Sequence, residues 1–383
     1  MASFGIFFPI LPQYGLAIGA SATHIGLSIA AFSLGQLIAG TVVGRLSDRL
    51  GRRRVLLWSL ALSVLISALN AFCTTPWSLI LVRLVGGLAA ASFGVTFAVA
   101  SDVSAPDQRA AAMGRVGAGL SLGFILGPAL GGLMAGGTAE PADFAVICFA
   151  AAGLAALAFI ATWWLLPETA PTGQALAAPP EAAAPAMARS LRDPSIRRLL
   201  LITLLASAAA AMMESTFTLF AASSLGAGPR TIGFVFGAMG IVSTALQFAG
   251  AGWASRRFGD DRVMQAGLLL QAAGLGLLAA ASGFALAIAG AMVISVGFAL
   301  LNPALASLTS FAGSLTTQGE VLGQQQASGS LGRIVGPGAS GPIYDGFGAN
   351  VPFLLGAVAM CVTLIYARYA HARDATRRVS SRQ

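Results

Sequence analysis

The sequence predicts an all-α membrane protein with twelve transmembrane helices in two six-helix bundles related by pseudo-twofold symmetry. Three observations predict it. Charged residues make up 9% of the 383-residue chain and hydrophobic residues 56%, with mean hydropathy +0.81; a water-soluble protein averages about 25% charged residues. Apolar stretches recur at a length that crosses a bilayer, roughly 20 residues in a helix. The two halves of the chain also repeat each other at a constant offset.

The spans fall at 3–19, 23–43, 55–73, 77–101, 111–136, 142–166, 198–225, 231–254, 263–283, 285–311, 320–345 and 350–370. The first, "FGIFFPILPQYGLAIG", has no basic n-region and no cleavage site, so it reads as a short first span rather than a signal peptide. Each span must satisfy its own backbone in lipid, which calls for helices. The alternating segments of about ten residues that mark a membrane barrel do not occur. Residues 167–196 are Pro/Ala-rich and read as a semi-flexible linker. The expected layout is a bundle over 1–166, the linker over 167–196, a second bundle over 197–371 and a basic tail over 372–383.

The net charge of +8 rests on arginine alone, for the chain has no lysine. The arginines gather after even-numbered spans: Arg45, Arg49, Arg52, Arg53 and Arg54; Arg109 and Arg115; Arg189, Arg192, Arg197 and Arg198; Arg256, Arg257 and Arg262; and the C-terminal Arg373, Arg377, Arg378 and Arg382. The opposite loops hold only Arg230. The positive-inside rule then puts both termini in the cytoplasm. Topology accounts for the basic balance, and no nucleic-acid partner is expected.

"GRLSDRLGRRRV" shifted by 208 residues lands on "GWASRRFGDDRV", matching Gly44, Ser47, Arg49, Gly51, Arg54 and Val55 to Gly252, Ser255, Arg257, Gly259, Arg262 and Val263. "SLGFILGPALGG" shifted by 209 lands on "SLGRIVGPGASG", matching Gly123, Gly127, Pro128 and Gly132 to Gly332, Gly336, Pro337 and Gly341. A parallel duplication of a six-span unit is a transporter architecture with its site between the halves.

The chain resembles the major facilitator superfamily over nearly its whole length. "GRLSDRLGRRR" resembles that superfamily's loop signature after the second helix, "LVRLVGGLAAASFG" its fourth-helix signature, and "GFILGPALGG" the fifth-helix signature of its drug/proton antiporters. "FGIFFPILPQY" and "LLPET" resemble tetracycline-type efflux proteins. The resemblance implies that Asp48 faces the start of span 11, near Gly319 to Gly323, and latches the halves in one state, with Gly44, Arg49, Gly51, Arg52 and Asp102 in the same device. In it Gly44 and Gly51 serve a tight turn and Arg52 pairs with Asp102. It further implies a role for Arg83 in proton coupling.

The residues add their own reading. Gly119, Gly123, Gly127 and Gly131, with Pro128 and Gly132 beside them, make a ridge without side chains on span 5, suited to close helix contact in lipid. Arg83, Glu214 and Arg333 are ionisable residues inside spans. Such placement costs on the order of 2.5–3.5 kcal/mol and marks function. Glu214 is the proton-carrier candidate; Arg333 is either its counter-charge or a contact for an anionic group. Gln13, Tyr14, Gln36, Phe217, Gln247 and Asn302 are the pocket candidates. Cys73, Cys148 and Cys361 read as small core residues, with no metal-ligand spacing and no cofactor implied. Spans 1, 3, 8 and 9 lack the intramembrane acids and histidine of the tetracycline pumps, which argues against a metal-chelated tetracycline as substrate.

The expected function is proton-coupled antiport, an efflux of small amphipathic compounds by alternating access, from a monomer in a bacterial inner membrane with lipid, protons and a small molecule as its partners. Uptake by a permease of the same fold is the alternative, and a non-transporting sensor or scaffold is the alternative of another class. No enzyme is expected, because no nucleophile–base pair, metal cluster or phosphate loop occurs.

Overall fold

The computed structural model describes residues 2–7, 9–90, 93–105, 108–135, 141–169, 193–312 and 318–380. These fold into helices with no strand among the described residues. The first half holds α1 (Ala2–Gly5), α2 (Leu11–Ala17), α3 (Ala22–Leu50), α4 (Arg52–Asn70), α5 (Pro76–Ala90), α6 (Phe93–Asp102), α7 (Arg109–Met134) and α8 (Pro141–Leu165). The second holds α9 (Pro194–Leu225), α10 (Pro229–Leu246), a π-helical turn (Gln247–Ala251), α11 (Gly252–Phe258), α12 (Asp260–Ala279), α13 (Phe284–Ala312), α14 (Gln318–Phe347) and α15 (Val351–Ser380).

Each half builds its own core. In the first, Ile6, Phe7, Ile10, Tyr14, Phe144 and Ile147 are buried together. In the second, Phe217, Phe220, Met264, Leu268 and Phe353 are. Large apolar side chains on the periphery, among them Leu165 at 80% and Phe311 at 82% exposure, would form an insoluble surface in water and suit a hydrocarbon surround. Among the described residues, ten helices are long and apolar enough to cross a membrane.

Sequence chemistry sets the helix ends. Ser21 and His24 form a capping box at the start of α3, and the Asp193 carboxylate accepts from the Ser195 amide at 2.8 Å to start α9. Gly51 and Gly259 sit at φ +99° and +84°, so the duplicated loop makes the same turn in both halves with a residue that tolerates positive φ.

Two seams join the halves, both at the arginine-poor end. A methyl group on Gly132 of α7 would lie 2.7 Å from the Cα of Gly233 in α10. On the other seam Gly26 of α3 abuts the Pro337 carbonyl, and Gly341 of α14 abuts Ala22 and Thr23. Ala20, Ala22, Ile25 and Leu219 bury one another across the same region. Towards the arginine-rich end the glycines of these helices, Gly40 and Gly44, Gly117 and Gly119, and Gly323, face nothing within 4 Å. The halves therefore close at one end and diverge at the other.

Several expectations are corrected. The first span is not one helix over 3–19 but two short ones; Pro12 stands in the first turn of α2, where a missing N–H is harmless, and Pro9 in the turn before it. Gly44 is no part of a turn, because α3 runs on to Leu50 and Gly51 alone makes the corner. Gly119 faces open space, so the ridge on α7 packs only further along: Gly127 on Ala2 and Gly5, and Gly131 on the Ile6 carbonyl. Cys361 is exposed, unlike buried Cys73 and Cys148, and is no core residue. The eleventh span forms α14 yet is not among the described helices apolar enough to count as a span; it packs between α9 and α3. The basic tail continues α15 as far as Ser380, and most of the linker, 170–192, falls outside the described residues.

The two loop glycines make a paired test. Gly44→Ala removes an entropic cost inside a helix and is expected to raise stability by about 0.5–1 kcal/mol, whereas Gly51→Ala forces positive φ on a side chain and lowers it by about 1–3 kcal/mol. Thermal unfolding of the purified protein in detergent measures both.

Candidate transport site

Three ionisable groups lie within spans near the middle of the molecule: Arg83 is buried, Glu214 half-buried and Arg333 exposed. Glu214 comes 20 residues after the first residue of α9, Pro194, or about 30 Å along at 1.5 Å per residue. α9 starts at the arginine-rich end, so the carboxylate sits nearer the closed end. α5 starts at the closed end, and Arg83 lies seven residues after Pro76, or about 10 Å in. The two side chains thus reach the same depth from opposite halves, and both line one narrow cavity with Phe4, Phe7, Leu11, Pro12 and Ile29.

Arg83 is 5% exposed. Its guanidinium lies 4.8 Å from the ring of Phe32, 5.4 Å from Phe4 and 6.0 Å from Phe7. Its Nε has no hydrogen-bond partner. Three ring faces partly replace lost hydration; cation–π contacts are worth about 2 kcal/mol each when desolvated, well below the cost of burying a bare cation. The arginine also borders a cavity of about 290 Å³ within the first half, beside Ser63, Ser67 and Asn70.

Glu214 forms no ion pair with Arg83 or Arg333 within 4 Å among the described residues. Arg333, half-way along α14, is nevertheless close enough to act on it electrostatically. On its other side Glu214 faces a second cavity of about 140 Å³ between α9, α10 and α13, lined by Met213, Phe236, Met239, Ser243, Ser295 and Phe298. The carboxylate thus stands between an arginine-bearing space and a soft, apolar one with two hydroxyls.

The pocket candidates fare unevenly. Phe217 is fully buried in the second core and stacks edge-on against Phe236. Tyr14 is 4% exposed, donates to the Cys73 carbonyl at 2.7 Å and stacks on Phe144 at 3.7 Å. Both belong to cores, because an aromatic ring on a helix buries against its own bundle first. Gln13 and Gln36 are half-buried, and Asn302 is exposed and turned back onto the Phe298 carbonyl at 3.2 Å. Gln247 opens the π turn and donates to Ser243 at 3.0 Å, which ties it to the second cavity through one side chain. The Phe and Met residues that line the cavities give no signal in an apolar sequence.

In the loop cluster Arg52 bridges two carboxylates, pairing with Asp48 and, through Nε at 3.1 Å, with Asp102; it also donates to Ser47 at 2.7 Å. Asp48 lies in the last turn of α3 rather than at a helix N-terminus, and its carboxylate is engaged by Arg52 rather than by α14. Arg49 is exposed beside it.

The sequence pattern of the Major Facilitator Superfamily matches residues 1–223 and again 199–383, the same doubling that the glycine turns and seams display. The chain belongs to the Major Facilitator Superfamily. Among curated proteins of this superfamily group it is 29% identical over 272 residues to the class D tetracycline resistance protein of Salmonella ordonez, covering 70% of this chain and 67% of that one. It is 29% identical over 366 residues to multidrug resistance protein 2 of Bacillus subtilis strain 168, covering 94% and 89%. Its fold is that of the nucleoside transporter NupG, with a TM-score of 0.80 at 16% identity over 97% of this chain and 96% of that one.

Assigning Tyr14 to the core yields a test. Tyr14→Phe removes one buried hydrogen bond and is expected to lower stability by about 0.5–1.5 kcal/mol while leaving the transport KM unchanged. A raised KM in vesicle assays at unchanged stability would return Tyr14 to the pocket.

Proposed function

We propose that this member of the superfamily exports small amphipathic compounds in exchange for protons, by alternating access of its two halves. The observation that carries the reading is Glu214: an acid without an ion pair, between two cavities, at the interface of halves that close at one end only. A carboxylate free of a tight partner can trade a proton for a ligand. The chain's similarity to tetracycline and multidrug resistance proteins supports export.

The arginine-rich end faces the cytoplasm of a bacterial inner membrane. The state described is then open inward. A compound enters from the cytoplasm and settles against the methionine and phenylalanine side chains of the second cavity, whose soft, re-packable surface accepts varied apolar shapes. Its binding favours loss of the Glu214 proton to the cytoplasm. After the halves rock, protonation of Glu214 from outside displaces the compound and resets the carrier. Arg83 and Arg333 bias that exchange: each stabilises the carboxylate, Arg83 from the first half and Arg333 from the second, so domain rocking changes the field on Glu214. Asp48, Arg52 and Asp102 close the cytoplasmic side in the opposite state, when α14 swings against α3. The chain acts as a monomer, since each six-helix half finds its partner within the same chain.

The deciding experiment uses reconstituted vesicles with an imposed pH gradient and fluorescent amphipathic dyes. Wild type is expected to accumulate dye against its gradient when protons run the other way. Glu214→Gln should reduce gradient-driven accumulation to the level of empty vesicles while retaining exchange of dye for dye, which needs no proton. Gradient-driven transport that survives Glu214→Gln would remove this acid from the coupling.

A further inference from the structure

The two seams at the arginine-poor end are related by the internal repeat, but they do not carry the same chemistry. At one, Gly132 meets Gly233 backbone to backbone. At the other, Gly341 meets Ala22 and Thr23 in the same way, and a carboxylate is added. Asp345 of α14 accepts hydrogen bonds from the Ala22 amide at 3.1 Å, the Thr23 amide at 2.9 Å and the Thr23 hydroxyl at 2.6 Å. These cross from the second half to the first, spanning over 320 residues of sequence. They land on the first turn of α3, whose free amides and helix dipole attract an anion. The position that matches Asp345 at an offset of 209 is Gly136, which has no side chain to offer. Thr231 matches Thr23 at an offset of 208, so that seam keeps the receiving residue and lacks the acid.

We propose that Asp345 is the latch of the gate at the arginine-poor end: its carboxylate caps α3 of the opposite half, holds the carrier in the state open at the arginine-rich end, and must let go before the gate can open. It makes the resting state unequal between two gates that the duplication would otherwise leave alike. The inference assumes that the halves rock, and adds to that reading the contact that sets where they rest.

The Asp345 carboxylate accepts three hydrogen bonds from Ala22 and Thr23, and only a carboxylate, not a carboxylic acid, accepts them all without giving up an oxygen lone pair to its own proton. The titratable groups nearby are His24, which bonds to Ser21 and lies edge-on to Trp77, and Tyr344, whose hydroxyl meets Ser223 at 2.9 Å. The outer ends of α9, α13 and α15 bring no charged residue to this place.

Spin labels at Thr74→Cys and Asn350→Cys, exposed positions on opposite halves, in a Cys361→Ser background, report the gate by double electron–electron resonance on the full chain in lipid nanodiscs. Without substrate or gradient, the parent is expected to show the short, closed distance. Asp345→Ala should raise the ratio of open to closed about tenfold, as befits loss of charge-assisted bonds. Thr23→Val, which removes one donor and leaves the acid in place, should raise it less. Unchanged distances in both variants would overturn the latch; if Asp345→Ala does not fold, Thr23→Val alone decides. An open fraction in the parent that grows between pH 8 and pH 5.5, and that His24→Gln abolishes, would assign the gate to His24 and also overturn it. Because the readout is a distance, it stands or falls apart from Glu214 and from export itself.

Discussion

Bare backbone against bare backbone is the contact on which the rest of this molecule depends. Where α7 meets α10 and α14 meets α3, glycine leaves no side chain between the helices. In lipid there is no hydrophobic drive to press two helices together, so close packing and short-range contacts must do it. The two seams bring the halves to within van der Waals contact at one end, and that convergence places Glu214 of one half and Arg83 of the other on a common cavity. Fill the seams with larger side chains and the two charges no longer share a space.

The same geometry explains why the ionisable groups are tolerable. Arg83 lies under three phenyl rings and next to a cavity, and Glu214 lines a cavity shared with the first half. Each charge has partial compensation and none is locked in a tight ion pair. A buried acid in a tight pair would be held ionised and could not exchange its proton. Loose compensation leaves the carboxylate without a fixed partner, which a coupled carrier requires. Duplication supplies two near-equal halves, and single-residue departures from the repeat, such as Asp345 opposite Gly136 and Asp48 opposite Arg256, make one end differ from the other.

Much of this was legible in the linear chain. Apolar run length, the side-to-side distribution of arginine and the constant offset of the repeat are properties of order and composition, and each follows from the energetics of placing groups in lipid. They determined the helices, the two-bundle architecture, the repeat of the positive-φ corner at Gly51 and Gly259, and the short list of charges inside spans. Arg52 and Asp102 were legible as partners because a motif places them on neighbouring helix ends. What order alone could not supply is the rotation of each helix about its axis. Tyr14 and Phe217 are suitable pocket residues by type, yet their faces turn into the cores, while Phe4 and Phe32, indistinguishable from any other apolar residue, turn towards Arg83.

Asp345 shows the division most clearly. As a sequence position it is one acid at the end of a span, with nothing to separate it from a solvated helix end. Only the folded chain reveals that a carboxylate and a helix start more than 300 residues apart meet at hydrogen-bonding distance. The sequence by itself determined that the protein lives in a membrane, that it crosses many times, and that it is built twice. The tertiary structure decided which charges meet, which end is shut and which residues line the cavities, because those depend on helix rotation and on contacts between halves that share no local sequence signal.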